Sequence, residues 1–283
     1  MSMTLTGGSV VSDDMYDADP LDADRLRELV VGEGLWRQVD VVAETGSTNA
    51  DLAARAAVGD AGHGSVLLTS YQSSGRGRLD RTWSAPPGSS LAMSMLVVPG
   101  DLQDGPGWQR WTWLPLICGM AVSEAIRRAT GVPTVLKWPN DVMVGDRKLC
   151  GILAEQVSTP QGLGCVIGVG INTDLTEDQL PVPWATSLLL CGASTRNKTS
   201  IAATVLRAFA LLYANWHDDF DADALGRAYV ERCATIGREV RVVLSERESV
   251  TGQATALDAD GRLVVRTADG TQVFGAGDIT HLR

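Results

Sequence analysis

Residues 135–141 read VLKWPND. The apolar start of this stretch indicates a strand, and the Pro-Asn-Asp end indicates a turn at the rim of a sheet. Strand side chains alternate between two faces, so Lys137 is expected on the same face as Val135. An ammonium group among apolar neighbours is costly to bury, so the lysine side chain must extend until the charge reaches solvent or pairs with an anion. Two interpretations follow: an ordinary turn with a surface lysine, and a rim site in which Lys137 binds an anionic ligand.

Upstream of this strand lies a loop, predicted over 72–87, that is rich in arginine and glycine. Its segment 75–83 reads GRGRLDRTW, with three arginines within six residues. Glycine lets backbone amides approach a ligand, arginine offers paired donors to phosphate or carboxylate, and Trp83 offers a flat face to a base. These properties suit a loop that closes over a nucleotide polyphosphate. The alternatives are a solvated surface loop and RNA binding of the Arg-Gly type, which requires repeats that this single tract lacks.

Downstream of the strand, residues 166–172 read VIGVGIN. Alternation places Gly168 and Gly170 on one face of a predicted strand, where the missing side chains leave space. Either a ligand or another part of the chain can fill that space. Close packing of the sheet against a helix is therefore the alternative to a binding site.

The remaining pattern predicts helices mixed with strands, and its character changes near residue 237. Before that point we expect helices over 22–31, 51–57, 108–130, 198–217 and 222–234, and strands over 38–43, 65–71, 90–98, 135–138, 149–157 and 164–171. Beyond it, short strands are expected over 240–244, 249–257, 262–267 and 271–274. Asp-Gly pairs between these β-branched runs indicate hairpin turns. The end of the chain therefore predicts a small β-barrel.

Composition and charge narrow the class of protein. The 283 residues carry a formal net charge of −10, which argues against a general nucleic-acid binder. Residues 1–34 hold eight acidic and two basic side chains, so much of this charge lies in a short N-terminal segment. Five cysteines without a CxxC pair indicate reduced thiols in a core. No apolar stretch reaches the roughly 20 residues that a bilayer span requires, and no signal peptide is evident. We expect a cytoplasmic protein without membrane or nucleic-acid partners.

Several common catalytic motifs are absent from the sequence. It contains no GxxxxGK[ST] loop, no GxSxG elbow and no complete dinucleotide fingerprint. Its three histidines (His63, His217 and His281) lack the spacing of metal ligands and are expected to be structural or exposed. Hydrolysis by a serine–histidine pair and zinc chemistry are therefore disfavoured.

Five segments, taken in this order, resemble the biotin–protein ligases. They are GSTN at 46–49, Gln72 followed by GRGR at 75–78, KWPND at 137–141, RKL at 147–149 with GILAE at 151–155, and GVGIN at 168–172. The resemblance covers roughly 36–283. It implies an α+β fold, in which a mixed-sheet catalytic domain of the biotin/lipoate ligase (class II synthetase-like) type precedes a C-terminal SH3-like β-barrel. The implied domains are a flexible acidic segment at 1–34, a catalytic domain at 35–234 and the barrel at 235–283.

The same resemblance implies a two-step reaction and the residues that perform it. Biotin and ATP are the substrates, Mg²⁺ accompanies ATP, and a biotin carboxyl carrier domain, for example of acetyl-CoA carboxylase, accepts the biotin on a lysine. The implied catalytic residues are Lys137, Arg76, Arg78 and Asp141. Biotin binding is implied for Ser47, Thr48, Asn49, Gln72, Gly75, Arg76, Gly77, Arg78, Lys137, Gly168 and Gly170. Nucleotide binding is implied for Arg76, Arg78, Trp83, Asn140, Lys148 and Asn172, and the protein ligands of the metal are not indicated.

Two departures from the family pattern bear on these expectations. The loop of the family usually reads RGRxGR, whereas Asp80 stands here in place of the second glycine. Some members also carry an N-terminal winged helix that binds DNA, for which the acidic residues 1–34 are too few and of the wrong charge. Three rival functions remain. The first is a lipoate or octanoate ligase, whose arginine-rich, triple-glycine signature is missing from this sequence. The others are a regulator that binds biotinyl-adenylate without turnover and a biotin-binding module without catalysis.

Overall fold

The fold was analysed in a computed structural model, which describes residues 20–32, 34–100, 110–245, 248–275 and 277–282. The helices are α1 (Ala23–Val30), α2 (Thr48–Val58), α3 (Leu114–Thr130), α4 (Lys198–Asp218) and α5 (Ala222–Val230). The first nine strands are β1 (Gln38–Val41), β2 (Ser65–Thr69), β3 (Gly75–Arg76), β4 (Thr82–Trp83), β5 (Ser90–Val97), β6 (Thr134–Lys137), β7 (Asp141–Val144), β8 (Arg147–Thr159) and β9 (Gly162–Asn172). The C-terminal strands are β10 (Glu239–Val243), β11 (Ser249–Leu257), β12 (Leu263–Thr267), β13 (Gly270–Phe274) and β14 (Asp278–His281).

Seven strands form the main sheet in the order β1-β2-β5-β9-β8-β7-β6. The β1–β2 pair is parallel and the other pairs are antiparallel, so the sheet is mixed, as predicted. Alternation along β9 turns Ile167, Val169 and Ile171 toward the core that also contains the buried residues of α3 and α4. The opposite face carries Gly168 and Gly170 and is partly covered by α2. The candidate site lies on this second face.

The N-terminal helix corrects one expectation for residues 1–34. Helix α1 lies within the predicted range 22–31, and its cap is Asp22, whose side chain accepts from the backbone N–H of Arg25. Leu26 is fully buried, and the backbone N–H of Asp22 donates to Thr199 Oγ1 on α4 at 2.9 Å. Residues 20–32 are therefore packed against the catalytic domain instead of forming a flexible segment, because one face of α1 is apolar. Residues 1–19 lie outside the described residues.

Several other elements also differ from the prediction, among them the start of α3 and strand β7. The helix expected over 108–130 begins only at Leu114, because Pro115 lacks a backbone N–H and suits a first turn. Residues 101–109 lie outside the described part of the chain. The sequence predicts no strand at β7, whose first residue Asp141 is expected in a turn, but buried Val142 pairs with Leu136 on β6 and Cys150 on β8. The cysteines are free, as expected, and four of the five are buried.

The C-terminal strands form an antiparallel sheet in the order β13-β12-β11-β10-β14. Its turn at 258–261 docks against the first domain. Trp138 Nε1 donates to Gly261 O at 3.0 Å, and Trp113 Nε1 donates to Ala259 O at 3.0 Å. Gly261 has a φ of +73°, and a Cβ there would lie 3.1 Å from Trp113 Cε2. The two domains thus meet directly behind the KWPND turn. In the described residues, no helix is long and apolar enough to cross a membrane.

Candidate active site

The KWPND turn joins β6 to β7 and places Lys137 opposite Asp141 in the antiparallel register. Buried Trp138 anchors the turn, because its backbone N–H donates to Thr235 Oγ1 at 3.1 Å and its ring packs in the core. Lys137 is only partly buried, and within the described ranges no hydrogen bond or ion pair joins Nζ to another group. Burial lowers the pKa of Lys137, while the charges of Asp141 and Asp278 oppose that shift. An anionic substrate beside Nζ would favour its charged form.

The arginine loop folds against the same rim and includes the short pair β3–β4. Arg76 Nη2 lies 2.8 Å from Glu155 Oε1 on β8. Arg78 Nη1 donates to Asn140 Oδ1 at 3.0 Å, and burial lowers the pKa of its guanidinium. The tip of the loop passes through the left-handed region at residues 79 and 80, with φ values of +55° and +57°. Asp80 therefore adopts the kind of backbone conformation that favours glycine, and aspartate is one of the residues that tolerate it.

The first turn of α2 contributes three buried polar residues that the sequence predicted for biotin. Ser47 caps the helix by accepting from the backbone N–H of Ala50. The Thr48 backbone N–H donates to Gln72 Oε1 at 2.8 Å, which connects the helix to the start of the loop. Asn49 Nδ2 donates to Glu155 Oε2 at 2.9 Å. These residues come together as expected, although Ser47 and Asn49 already have partners within the chain.

The glycine face of β9 differs from the expectation of open space for a ligand ring. A Cβ at Gly168 would lie 2.2 Å from Asn49 Oδ1, and one at Gly170 would lie 2.7 Å from Trp83 Cε2. Trp83 also passes Gly151 on β8, where a Cβ would lie 3.3 Å from its Cζ3. The glycines therefore accommodate side chains of this chain. The Trp83 ring lies over the sheet at Gly170 and Gly151, and its stacking on a base stays a prediction. Its Nε1 is buried without a hydrogen-bond partner in the described residues.

Three of the predicted nucleotide residues lie outside the arginine loop: Asn140 directly before β7, Lys148 at the start of β8 and Asn172 at the end of β9. Lys148 Nζ is 2.6 Å from Asp141 Oδ1. Asn172 is buried, and its Nδ2 donates to Thr186 O at 2.8 Å, so it supports the neighbouring loop. In that loop Trp184 is 61% exposed, while its carbonyl accepts from the backbone N–H of Lys148 at 2.6 Å. Trp184 therefore presents an exposed aromatic surface beside Lys148. The sequence analysis did not identify this tryptophan.

The C-terminal domain also reaches the site, which the sequence analysis missed. Arg81 forms an ion pair with Asp278 at the start of β14, and Arg78 Nη2 donates to Gly277 O at 3.4 Å. His281 Nε2 lies 3.1 Å from Thr235 Oγ1. Burial and the nearby charge of Lys137 lower the pKa of His281 to about 4. The start of β14 therefore contacts the arginine loop, and its end contacts Thr235, which also holds the backbone of Trp138.

Comparisons with known proteins agree with this geometry. Residues 43–172 match the model of the biotin/lipoate A/B protein ligase family, and residues 235–282 match the biotin protein ligase C-terminal domain. A biotin–[acetyl-CoA-carboxylase] ligase from Mycobacterium tuberculosis is 41% identical over 93% of this chain and 97% of its own length. The chain belongs to the biotin protein ligase family. The predicted fold class and ligase activity are thereby confirmed.

Two further proteins are similar to this chain in sequence or in structure. The bifunctional ligase/repressor BirA from Bacillus spizizenii is 29% identical over 90% of this chain and 76% of its own length. A biotin protein ligase from Aquifex aeolicus, solved in complex with biotin and ATP, is 25% identical with a TM-score of 0.72. That match covers 88% of this chain and all of the Aquifex chain. The similarity therefore extends over both domains.

Proposed function

We propose that this biotin protein ligase activates biotin with ATP at the Lys137 rim and transfers it to a lysine of a biotin carboxyl carrier domain. The observation that carries the proposal is the ammonium of Lys137, which has no paired anion in the described residues and is flanked by the arginine loop. The reaction brings two anions together, a carboxylate and a triphosphate. A positive group that is already positioned there stabilises the charge that develops between them.

In the first step, a carboxylate oxygen of biotin attacks the α-phosphorus of ATP. The bond between this phosphorus and the β-phosphate oxygen breaks, and pyrophosphate leaves with the electron pair. Lys137 is proposed to bridge the biotin carboxylate and the α-phosphate, while Arg76 and Arg78 neutralise phosphate oxygens. Thr48 and Gln72 offer hydrogen bonds to biotin, and Trp184 offers its exposed face to adenine.

In the second step, the neutral amine of the carrier lysine attacks the carbonyl carbon of biotinyl-5′-AMP. The carbon–oxygen bond to AMP breaks, an amide forms, and AMP leaves. Asp141 is proposed to accept the proton of the incoming lysine or to assist the metal. The chemistry requires no enzyme-bound nucleophile, so catalysis depends on orientation and electrostatics.

Asp141 is proposed to hold the Mg²⁺ that accompanies ATP, and the ion would supply positive charge to the phosphates. The described residues contain no cluster of three or more His, Cys, Asp or Glu side chains suited to a metal ion. Mg²⁺ commonly keeps several waters and binds substrate phosphates with one or two carboxylates. Asp141, on the rim and paired with Lys148, fits such a sparse donor set.

The test is an assay of both half-reactions with the purified protein. Biotin and Mg-ATP should release pyrophosphate, and an added biotin carboxyl carrier domain should become labelled. Lipoate in excess should not compete with labelled biotin. An unlabelled carrier under these conditions, or effective competition by lipoate, would contradict the proposal.

A further inference from the structure

A hydrogen-bond network connects two residues of the arginine loop through the interior of the domain. It runs from Gln72 through Thr48, Ser94 and Asn49 to Glu155, and from there to Arg76. Ser94 lies on β5, is fully buried, and has its Oγ 2.7 Å from Thr48 Oγ1 and 2.6 Å from Asn49 Oδ1. Glu155 receives Asn49 Nδ2 on one oxygen and Arg76 Nη2 on the other. Gln72 and Arg76 are thus held at opposite ends of one network.

The direction of these hydrogen bonds follows from the donors available. Asn49 Nδ2 faces two acceptors, Glu155 Oε2 and the carbonyl of Leu153, so Asn49 Oδ1 must face Ser94. An amide oxygen only accepts, and therefore the single hydroxyl hydrogen of Ser94 is donated to Asn49. The single hydroxyl hydrogen of Thr48 then faces two acceptors, Ser94 Oγ at 2.7 Å and Gln72 Oε1 at 3.1 Å.

The other end of the network is determined in the same way. Gln72 Oε1 accepts the backbone N–H of Thr48 at 2.8 Å, which orients the amide of Gln72 and points its Nε2 away from Thr48. A Cβ at Gly75 would lie 2.8 Å from Gln72 Nε2, so only glycine leaves room for that amide beneath the loop. The side-chain donors of Ser94 and Asn49 therefore point toward Glu155, whereas the backbone N–H of Thr48 points toward Gln72. Hydrogen bonds linked in this way strengthen one another in a buried environment.

We propose that Ser94 and Glu155 are positioning residues that orient Gln72 and Arg76 before substrate arrives. This proposal rests on the proposed function of the loop. Glu155 uses one of the five guanidinium donors of Arg76, and the Arg76 side chain remains 51% exposed. The unused donors stay available to a substrate anion. Glu155 thus holds the guanidinium in place without occupying the edge that a carboxylate or phosphate would bind.

The first test measures the ligand-free protein and does not depend on turnover. Amide hydrogen exchange of the 72–83 segment is compared in wild type, Ser94→Ala, Glu155→Gln and the double variant. Each single substitution should speed exchange by about tenfold, as expected for one lost buried hydrogen bond. The double variant should exchange no faster than the faster single variant, because both changes interrupt the same network.

A matched control distinguishes this coupling from general loosening. Ser123 on α3 is also fully buried, and its hydroxyl bonds Thr134 at 2.9 Å on the other side of the sheet. Ser123→Ala should leave exchange of the loop within about twofold of wild type, and its effect should add to that of Glu155→Gln. If Ser94→Ala does not fold, Thr48→Val combined with Glu155→Gln tests the same coupling. Additive effects of the network pair would overturn the proposal.

Kinetics give a second readout that a purely structural role would not produce. Glu155→Gln should raise KM for ATP about tenfold while kcat falls less than about threefold, because Arg76 is proposed to bind phosphate oxygens and the loss concerns binding geometry. An unchanged KM for ATP with a large loss of kcat would contradict the proposal. Absence of biotin-dependent pyrophosphate release by the wild type would instead refute the proposed function, and the exchange experiment would still decide whether the network positions the loop.

Discussion

Substitution of Gly168 by alanine tests how tightly the glycine face of β9 is packed. The new Cβ would lie 2.2 Å from Asn49 Oδ1 and 2.8 Å from Asn49 Cγ, distances that real Cβ atoms do not adopt. Asn49 belongs to the first turn of α2, and Gly168 pairs with Leu153 and Ser94 in the centre of the sheet. Neither backbone can move away easily, so the Asn49 side chain must leave its place.

The cost can be worked from the contacts that Asn49 makes. Its amide donates to Leu153 O at 3.1 Å and to Glu155 Oε2 at 2.9 Å, and Ser94 would lose its acceptor inside the core. An unsatisfied buried donor costs about 1–3 kcal/mol, and each remaining bond contributes about 1 kcal/mol. We expect Gly168→Ala to lower the free energy of unfolding by about 2–4 kcal/mol, which corresponds to a fall in Tm of about 5–15 °C in a domain of this size.

Gly119→Ala is the matched control. Gly119 lies within α3, and a Cβ there would meet Ile152 Cδ1 and Leu136 Cδ2 at 3.5 Å, an ordinary contact. Because alanine favours the helix by up to about 1 kcal/mol, this variant should be as stable as wild type or more stable. Thermal unfolding of the three proteins, followed by circular dichroism, measures the difference. If Gly168→Ala melts within about 2 °C of wild type, less than the shift that 1 kcal/mol produces, the packing argument is wrong.

Three further predictions concern the rim. Lys137→Ala should lower biotin-dependent pyrophosphate release by at least about 100-fold without lowering Tm, because the ammonium group is proposed to pair only with the substrates. Retained turnover would contradict the role proposed for Lys137. Trp184→Ala should raise KM for ATP about tenfold by removing a stacking surface, whereas Leu211→Ala, at another exposed apolar site, should not; equal effects would contradict stacking. Since the folded state favours neutral His281, with a pKa of about 4 against 6.5, stability should be unaffected above pH 6.5 and fall as the pH drops from 6.5 to 4. We expect a loss of about 1–2 kcal/mol, because solvent screens this half-exposed ring. His281→Gln should reduce this loss, as measured by denaturant unfolding at both pH values.

The parts of the site that the sequence predicted are those with a local pattern. Alternation along 135–138 placed Lys137 on the partly exposed face and Leu136 in the core, as the structure shows. The helix expected over 51–57 begins three residues earlier, at Thr48, because the Ser47 hydroxyl caps the free N–H groups of its first turn. Alternate glycines in β9 correctly indicated a close approach, but the pattern does not say what approaches. Side chains from α2 and β4 fill that space, and their arrival depends on the tertiary fold.

Residues that the sequence analysis missed come from distant parts of the chain. Asp278 meets Arg81 across 197 positions, and no spacing rule connects a β14 carboxylate with a loop arginine. Ser94 and Glu155 look like ordinary strand residues until three elements bring their side chains together. The three histidines are far apart in the sequence, which therefore indicates no contact between their surroundings. His63 and His217 nevertheless both lie against the ring of Tyr213, with centroid distances of 5.9 and 5.8 Å.

The partners of the rim cations explain why Lys137 is the expected first contact of a substrate anion. Arg76, Arg81 and Lys148 each have a carboxylate of the chain beside them, so an incoming anion must share or displace that partner. Arg78 donates to two neutral oxygen atoms, Asn140 Oδ1 and Gly277 O, so no carboxylate accepts a hydrogen bond from it. Lys137 has neither kind of partner among the described residues, and its partial burial makes the unpaired charge costly. A carboxylate or phosphate that reaches Lys137 relieves this cost without breaking any existing bond, whereas binding at the paired cations involves an exchange of partners. The overall negative charge of the chain does not weaken this attraction greatly, because charges beyond about 10 Å are screened at ordinary ionic strength.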